Sequence, residues 1–237
     1  MLRLRVKAPF AAFRPLTAGS FRPTAPFLTP SAAYGLLLNV AAIEMRFDDG
    51  EEPMTLIASG LPSVEIALGA LDQPEVQTLY QQLHNYPVGT TGKGRASETK
   101  GNKYNIQPIR REFLSDLDAY VCLRGNDELE NRVRQGLTLG AEFRPEGKPR
   151  YGVPFLGDNS FLISVLQEES TAQPAFWFVR TDRANSVDHA HFCRLTVWID
   201  RQNLSKTMTG TYSWRGQPLT DVPEEAWTLV PPTTVRS

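Results

Sequence analysis

The sequence predicts an α+β fold: a sheet with two helices on one face, in the split βαβ or ferredoxin-like arrangement, followed by a β-rich C-terminal part. Three observations predict it. The opening LRLRVKAPF alternates Leu2, Leu4 and Val6 with Arg3, Arg5 and Lys7. Two helical segments, PSAAYGLLLNVAAIEM and NDELENRVRQGLTLG, are separated by strand-like runs. Beyond them, AFWFVRTD and FCRLTVWID are rich in the aromatic and β-branched residues of strands.

In chain order, period two at the start reads as a half-buried strand with a basic outer face. The first 43 residues hold Arg3, Arg5, Lys7, Arg14 and Arg22 and no acid, the composition of an organellar transit peptide. The strict alternation favours the strand. FRPLTAGSFRPTAPFLTP then reads as extended, because proline removes backbone donors and disfavours helix before it. Its Phe13, Phe21 and Phe27 alternate with Arg14 and Arg22.

Pro30 and Ser31 suit the first turn of the first helix. Gly35 inside that helix costs about 1 kcal/mol against alanine, which a close backbone approach, either to the sheet or to a ligand, would explain. MTLIASG and SVEIALGAL read as strands, the second ambiguous by periodicity alone. PEVQTLYQQLHNY reads as a helix with Val76, Leu79, Tyr80 and Leu83 near one face. LDAYVCLRG reads as a strand. In the second helix Asn126 is the N-cap, acids fill the first turn, and Gly136 or Gly140 ends it. FLISVLQE, AFWFVRTD, FCRLTVWID and KTMTGTYSW read as further strands, with a small second sheet to hold those outside the main one. WTLVPPTTVRS reads as an extended tail.

The 237 residues fit one large domain or two small ones. Hydrophobic content of 41% and charged content of 22% are globular values, which argues against overall disorder. With a net charge of −1, any anion-binding surface must be local. Cys122 and Cys193 lie in apolar runs and read as buried free thiols of a reducing, cytoplasmic compartment. No run of eighteen apolar residues occurs, so no membrane-spanning helix is expected.

GxSxG, GxxxxGK[ST] and HExxH are absent from the sequence. The acid pairs Asp48/Asp49 and Glu51/Glu52 read as solvated turn residues, and LGDNS at 156–160 as a structural turn. DHAHFC sets His189, His191 and Cys193 at i, i+2 and i+4, on one face if the strand runs through them. With no CxxC or HxxxH beside them, they read as structural or surface residues, and no metal or cofactor is expected.

The exception to this blandness is Thr91–Glu112, TGKGRASETKGNKYNIQPIRRE, with six Lys or Arg against two Glu. Lys93, Arg95, Lys100, Lys103, Arg110 and Arg111 suit phosphates, and Tyr104 offers a ring for base stacking among cations. Six phosphate contacts on a single strand would give a salt slope of about −4. Tyr104, Ile106 and Ile109 allow part of the segment to pair as a hairpin.

LRLRVKAPFAAFR followed by PFLTPSAAYGLLLNVAAIE resembles the amino-terminal region of the fifth Cas protein family, RNA-binding subunits of type I CRISPR surveillance complexes (Cascade). The positions that carry the resemblance are Pro30, Ser31, Gly35, Leu36, Leu37 and Asn39, and RYGVPFLGDNSFLI is similar to the DevS-type branch. The resemblance implies an RRM-type, RAMP-superfamily domain over 1–170, with an inserted β-hairpin thumb at about 88–112, and a β-rich region over 171–237. It implies a non-catalytic subunit that holds the 5′ handle of the crRNA and joins a backbone subunit of the seventh Cas family to the large subunit of the eighth, meeting target DNA only indirectly.

On that reading the RNA-binding residues are Lys93, Arg95, Lys100, Lys103, Tyr104, Arg110 and Arg111, with Arg14, Arg22 and Phe13 of the proline loop. The aromatic RNP signature of ordinary RNA-recognition domains is absent. Some relatives are themselves repeat-cleaving nucleases with a Tyr, Lys and His site. A metal-independent endoribonuclease is therefore the alternative, with His189 and His191 its first candidates.

Overall fold

The computed structural model describes residues 1–15, 21–51, 55–87, 104–147, 152–182, 192–214 and 216–232. In chain order the elements are β1 (Leu2–Ala11), β2 (Phe21–Arg22), α1 (Pro30–Val40), β3 (Arg46–Phe47), β4 (Leu56–Ile57), β5 (Val64–Asp72), β6 (Glu75–Pro87), β7 (Tyr104–Arg124), α2 (Asp127–Leu139), β8 (Val165–Glu168), β9 (Phe176–Arg180), β10 (Phe192–Trp198), β11 (Met208–Trp214) and β12 (Thr228–Val230). This is a mixed α/β chain with one large, mainly antiparallel sheet and few helices. The sheet runs β10-β11-β9-β5-β7-β1-β8, with β12 also on β5 and β2 and β6 on β7. The β2–β7 pairing is parallel.

β1 forms as its alternation predicts. Leu2, Leu4, Val6 and Ala8 are buried, and each faces a buried residue of β7, from Leu2↔Leu123 to Ala8↔Leu117. The outward Arg5 and Lys7 both pair with Asp118 of β7, at 2.8 and 3.3 Å, so the neighbour strand offsets part of the charge of the basic face. Near Asp116, which takes φ 57, the pattern slips. The next buried pair is Ala11↔Leu114, three residues from the last, and Phe10 is left 45% exposed. The register is unbroken, so both strands exchange their buried parity together.

The Thr29 hydroxyl caps α1 by accepting from the Ala32 N–H at 3.2 Å, and Pro30 begins the helix where a missing donor costs nothing. Asn126 caps α2 by accepting from the Leu129 N–H at 2.9 Å, and Gly140 ends it. Leu129 and Val133 of α2 share a core with Leu36, Leu37 and Val40 of α1 and the buried residues of β1, β5 and β7. The expected close approach at Gly35 is not found. A Cβ there meets nothing within 4 Å, whereas one at Gly136 would lie 1.9 Å from the Val40 carbonyl oxygen. Gly136 is therefore the residue that lets the two helices touch.

Two further expectations are corrected. Residues 75–87 form a strand, not a helix: β6 pairs antiparallel with β7 from Glu75↔Ser115 to Pro87↔Tyr104. Its residues 75–82 are all exposed, so no core exists to reward a helical stripe, and pairing with β7 decides the conformation. Nor is there a small second sheet for the C-terminal strands, because β9 joins β5 through Gly69↔Trp177 and carries β11 and β10 with it. Trp177, Tyr120 and Trp227 belong to a second apolar cluster.

Candidate nucleic-acid interface

β2 has two residues, yet it assembles the site. Phe21 lies beside Arg110 and Arg22 beside Arg111 of β7. The proline loop is strapped in position by its own polar groups. The Ala25 N–H donates to the Phe13 carbonyl at 2.7 Å, the Phe13 N–H to Thr24 Oγ1 at 2.9 Å, and the Thr24 N–H to Glu112 Oε2 at 3.2 Å. The loop thus gathers Arg14, Arg22 and Arg111 from distant parts of the sequence, while Arg110 faces the other side of β7 with Phe21.

Asp158 lies among them, on the turn after Gly157. That turn lies against the end of β1. The Ala12 N–H donates to the Leu156 carbonyl at 3.1 Å, and a Cβ at Gly157 (φ 78) would fall 1.6 Å from the Ala12 oxygen. Glycine is needed there both for its left-handed backbone and for its missing side chain. Asp158 Oδ1 accepts from the Ser160 N–H at 2.9 Å, while Oδ2 accepts from Arg111 Nη2 at 2.6 Å and lies 3.6 Å from Arg14 Nη2. Burial disfavours its charge, but the Ser160 hydrogen bonds and Arg111 outweigh it and hold the carboxyl below its usual range. Partial burial and the charges of Arg22 and Arg111 depress the Arg14 guanidinium, with Asp158 acting the other way. One carboxylate among three guanidiniums leaves a surplus of positive charge. The buried Nε of Arg111 has no hydrogen-bond partner. Such a group costs about 1–3 kcal/mol, unless an anion meets it.

Aromatic rings surround these cations. Arg111 lies 4.9 Å over Phe161, and Arg110 lies 5.0 Å over Phe21. Phe161 contacts Phe10 and Phe113 at 6.1 Å, and Phe10 meets Phe113 edge-on at 5.5 Å. β6 adds Tyr80 opposite Arg110 and Leu79 opposite Arg111.

Of the candidates read from the sequence, Arg14, Arg22 and Arg111 are thus brought together, and Arg110 lies on the opposite face against Phe21. Phe13 is not an open stacking surface: it is 4% exposed and belongs to the main core. Tyr104 begins β7 opposite Pro87. Lys93, Arg95, Lys100, Lys103, His189 and His191 lie outside the described residues. Cys193 is buried in β10, and burial pushes its thiol up to about 12. Among the described residues no group of three or more His, Cys, Asp or Glu could hold a metal ion, and no helix is long and apolar enough to cross a membrane. Sequence reasoning missed Asp158, because the turn LGDNS carries no local sign of the arginines it meets.

A large, mainly antiparallel sheet with two helices and an arginine cluster at the foot of the β6–β7 ribbon defines a mixed α/β protein. A model of the family described as CRISPR-associated protein (Cas_Cas5) matches residues 1–142. The chain belongs to that family. Among solved structures, it is similar to a chain of a CRISPR RNA-guided surveillance complex, with a TM-score of 0.57 and 12% identity over 95% of this chain and 92% of that one. Another similar chain is a Cas protein crystal structure, with a TM-score of 0.46 and 16% identity over 92% and 94%. No curated protein matches the chain.

Proposed function

We propose that this chain is a non-catalytic RNA-binding and assembly subunit of a type I CRISPR surveillance complex. On this reading it holds the 5′ handle of the crRNA and joins the backbone subunit to the large subunit. The observation that carries the reading is the convergence of Arg14, Arg22 and Arg111 around Asp158 at the root of the β6–β7 hairpin, with Arg110 on the opposite face of the same strand. Guanidiniums suit phosphate because their planar donors match its oxygens. Family membership and the likeness to a surveillance-complex chain support the assignment.

The ferredoxin-like reading of the fold is supported by strand order. Four strands, β5-β7-β1-β8, pair antiparallel, with α1 between β1 and β5 in sequence and α2 between β7 and β8. On this reading residues 1–170 form the RNA-binding domain, residues 88–112 are the thumb, and 171–237 form a β-rich region. The basic residues Lys93, Arg95, Lys100 and Lys103 extend the grip beyond the arginine cluster.

The test is binding of fluorescent CRISPR-repeat RNA to the full chain across a salt series. Joint replacement of Arg14, Arg22 and Arg110 by Ala should weaken binding and flatten the slope by about 2, at about 0.7 per single-strand phosphate contact. An unchanged affinity and slope would refute the assignment. The RNA should be recovered intact; specific cleavage would move the reading to an endoribonuclease.

A further inference from the structure

We propose that Tyr80 and Arg110, backed by Phe21, form a stacking slot for one base of single-stranded RNA on the β6–β7 ribbon. The proposal rests on the RNA-binding reading above and adds a base-contacting residue that the arginines do not imply.

The register carries it. Phe21 pairs with Arg110 and Arg110 pairs with Tyr80, so β2, β7 and β6 present these three residues as one cross-strand row. Side chains in such a row leave the sheet on the same side. With strands about 4.8 Å apart, Phe21 and Tyr80 stand roughly 10 Å from each other. Arg110 lies over the Phe21 ring at 5.0 Å, which draws its flat guanidinium toward Phe21. Tyr80 itself is 81% exposed. A tyrosine ring so exposed on a strand gains little from its own chain.

The surroundings favour RNA over a protein surface. The next row, Arg22 and Arg111, leaves the opposite face of the ribbon, so Arg110 is the cation of this row that shares a face with Tyr80. Aromatic rings alternating with cations suit a single strand, whose bases stack while its phosphates meet the cations. The same-face neighbours of Tyr80 along its own strand, Thr78 and Gln82, and Glu112 opposite Thr78 are polar, whereas the centre of a protein interface is depleted in charge and closely packed. Stacking of this kind tolerates any base, so the slot would hold a nucleotide in place without reading it.

The experiment compares two probes on the full chain: a short fluorescent single-stranded oligoribonucleotide, and the same backbone with abasic sites. Tyr80→Ala should weaken binding of the base-bearing RNA by about tenfold, with the salt slope unchanged, because a stacked ring releases no counterions. Tyr80→Phe should bind like the wild type. The abasic probe should be indifferent to Tyr80→Ala, while Arg110→Ala should weaken both probes and flatten both slopes. If Tyr80→Ala leaves the base-bearing RNA unaffected, or weakens both probes equally, the slot does not exist. If it spares RNA but abolishes capture of a backbone subunit, Tyr80 is a protein contact and the inference falls. Should the wild type bind neither probe, the RNA-binding reading itself fails.

Discussion

Arg22 and Arg111 sit side by side in parallel register on β2 and β7. Two like charges in neighbouring strands oppose folding by a few tenths of a kcal/mol to about 1 kcal/mol. Asp158 relieves part of this through Arg111. An arrangement that costs stability and leaves a guanidinium nitrogen unpartnered is understandable as a binding site and poorly understandable as a strut.

Replacing Arg22 with Gln therefore separates the two roles. The variant should be as stable as the wild type or more stable by about 0.5 kcal/mol, because the repulsion is gone. Its RNA affinity should fall and its salt slope flatten by about 0.7. Thermal melts and anisotropy titrations on the same samples check both halves. A lower melting temperature with unchanged RNA binding would make Arg22 a structural residue.

Gly136 gives a prediction whose sign opposes helix propensity. In a free helix, alanine is favoured over glycine by about 1 kcal/mol. Here the added methyl would lie 1.9 Å from the Val40 carbonyl oxygen, and that atom is backbone. Gly136→Ala should destabilise the protein by about 2 kcal/mol, read as a lower denaturation midpoint at an unchanged m-value. A stabilised variant would mean that α1 and α2 are farther apart.

Asp118 and Asp158 set an acid limit. Burial works against the charge of each. For Asp118 the Arg5 and Lys7 contacts prevail, and for Asp158 the Ser160 and Arg111 contacts do, so both native pKa values lie below the ordinary carboxylate value. A depressed native pKa contributes stability that is present above the unfolded value, near 3.9, and is lost as pH falls through the native one. Asp118→Asn should cost about 1–2 kcal/mol at neutral pH. The gap between variant and wild type should narrow at about pH 3, in urea titrations at each pH. A gap that does not change with pH would exclude ion pairing as its source.

Both thiols should resist modification in the native protein. Burial raises Cys122 to about 11 despite Arg3 beside it, and raises Cys193 to about 12. A disulfide-exchange reagent near neutral pH should react with neither until denaturant is added, because the thiolate is the reactive form. Rapid labelling of either cysteine without denaturant would contradict its placement.

Local chemistry made several elements legible. The alternation of Leu2, Leu4 and Val6 is a direct imprint of a half-buried strand, and Pro30–Ser31 and Asn126 mark helix starts, Pro30 by the donor it lacks and Asn126 by the hydrogen bond it accepts. β6 was illegible for a physical reason. Val76, Leu79, Tyr80 and Leu83 mimic a helical stripe, yet the ribbon has no core beneath it, so its hydrophobic spacing carries no constraint. The site was half legible. The arginines announce themselves by charge, but the two-residue pairing of β2 with β7 and the arrival of Asp158 are long-range events. The exposed Phe10 beside a buried Phe13 was equally hidden, because a left-handed residue on the partner strand is what shifts the phase.

That left-handed residue has a consequence for how the chain can change. At Asp116 β1 and β7 act as a twisted ribbon whose two halves serve different masters, one filling the interior and the other displaying rings and cations. Removing a single amino acid on either side of this point would not merely shorten a loop. It would swap inside for outside along the whole upper half, turning Leu114 to water and Phe113 inward.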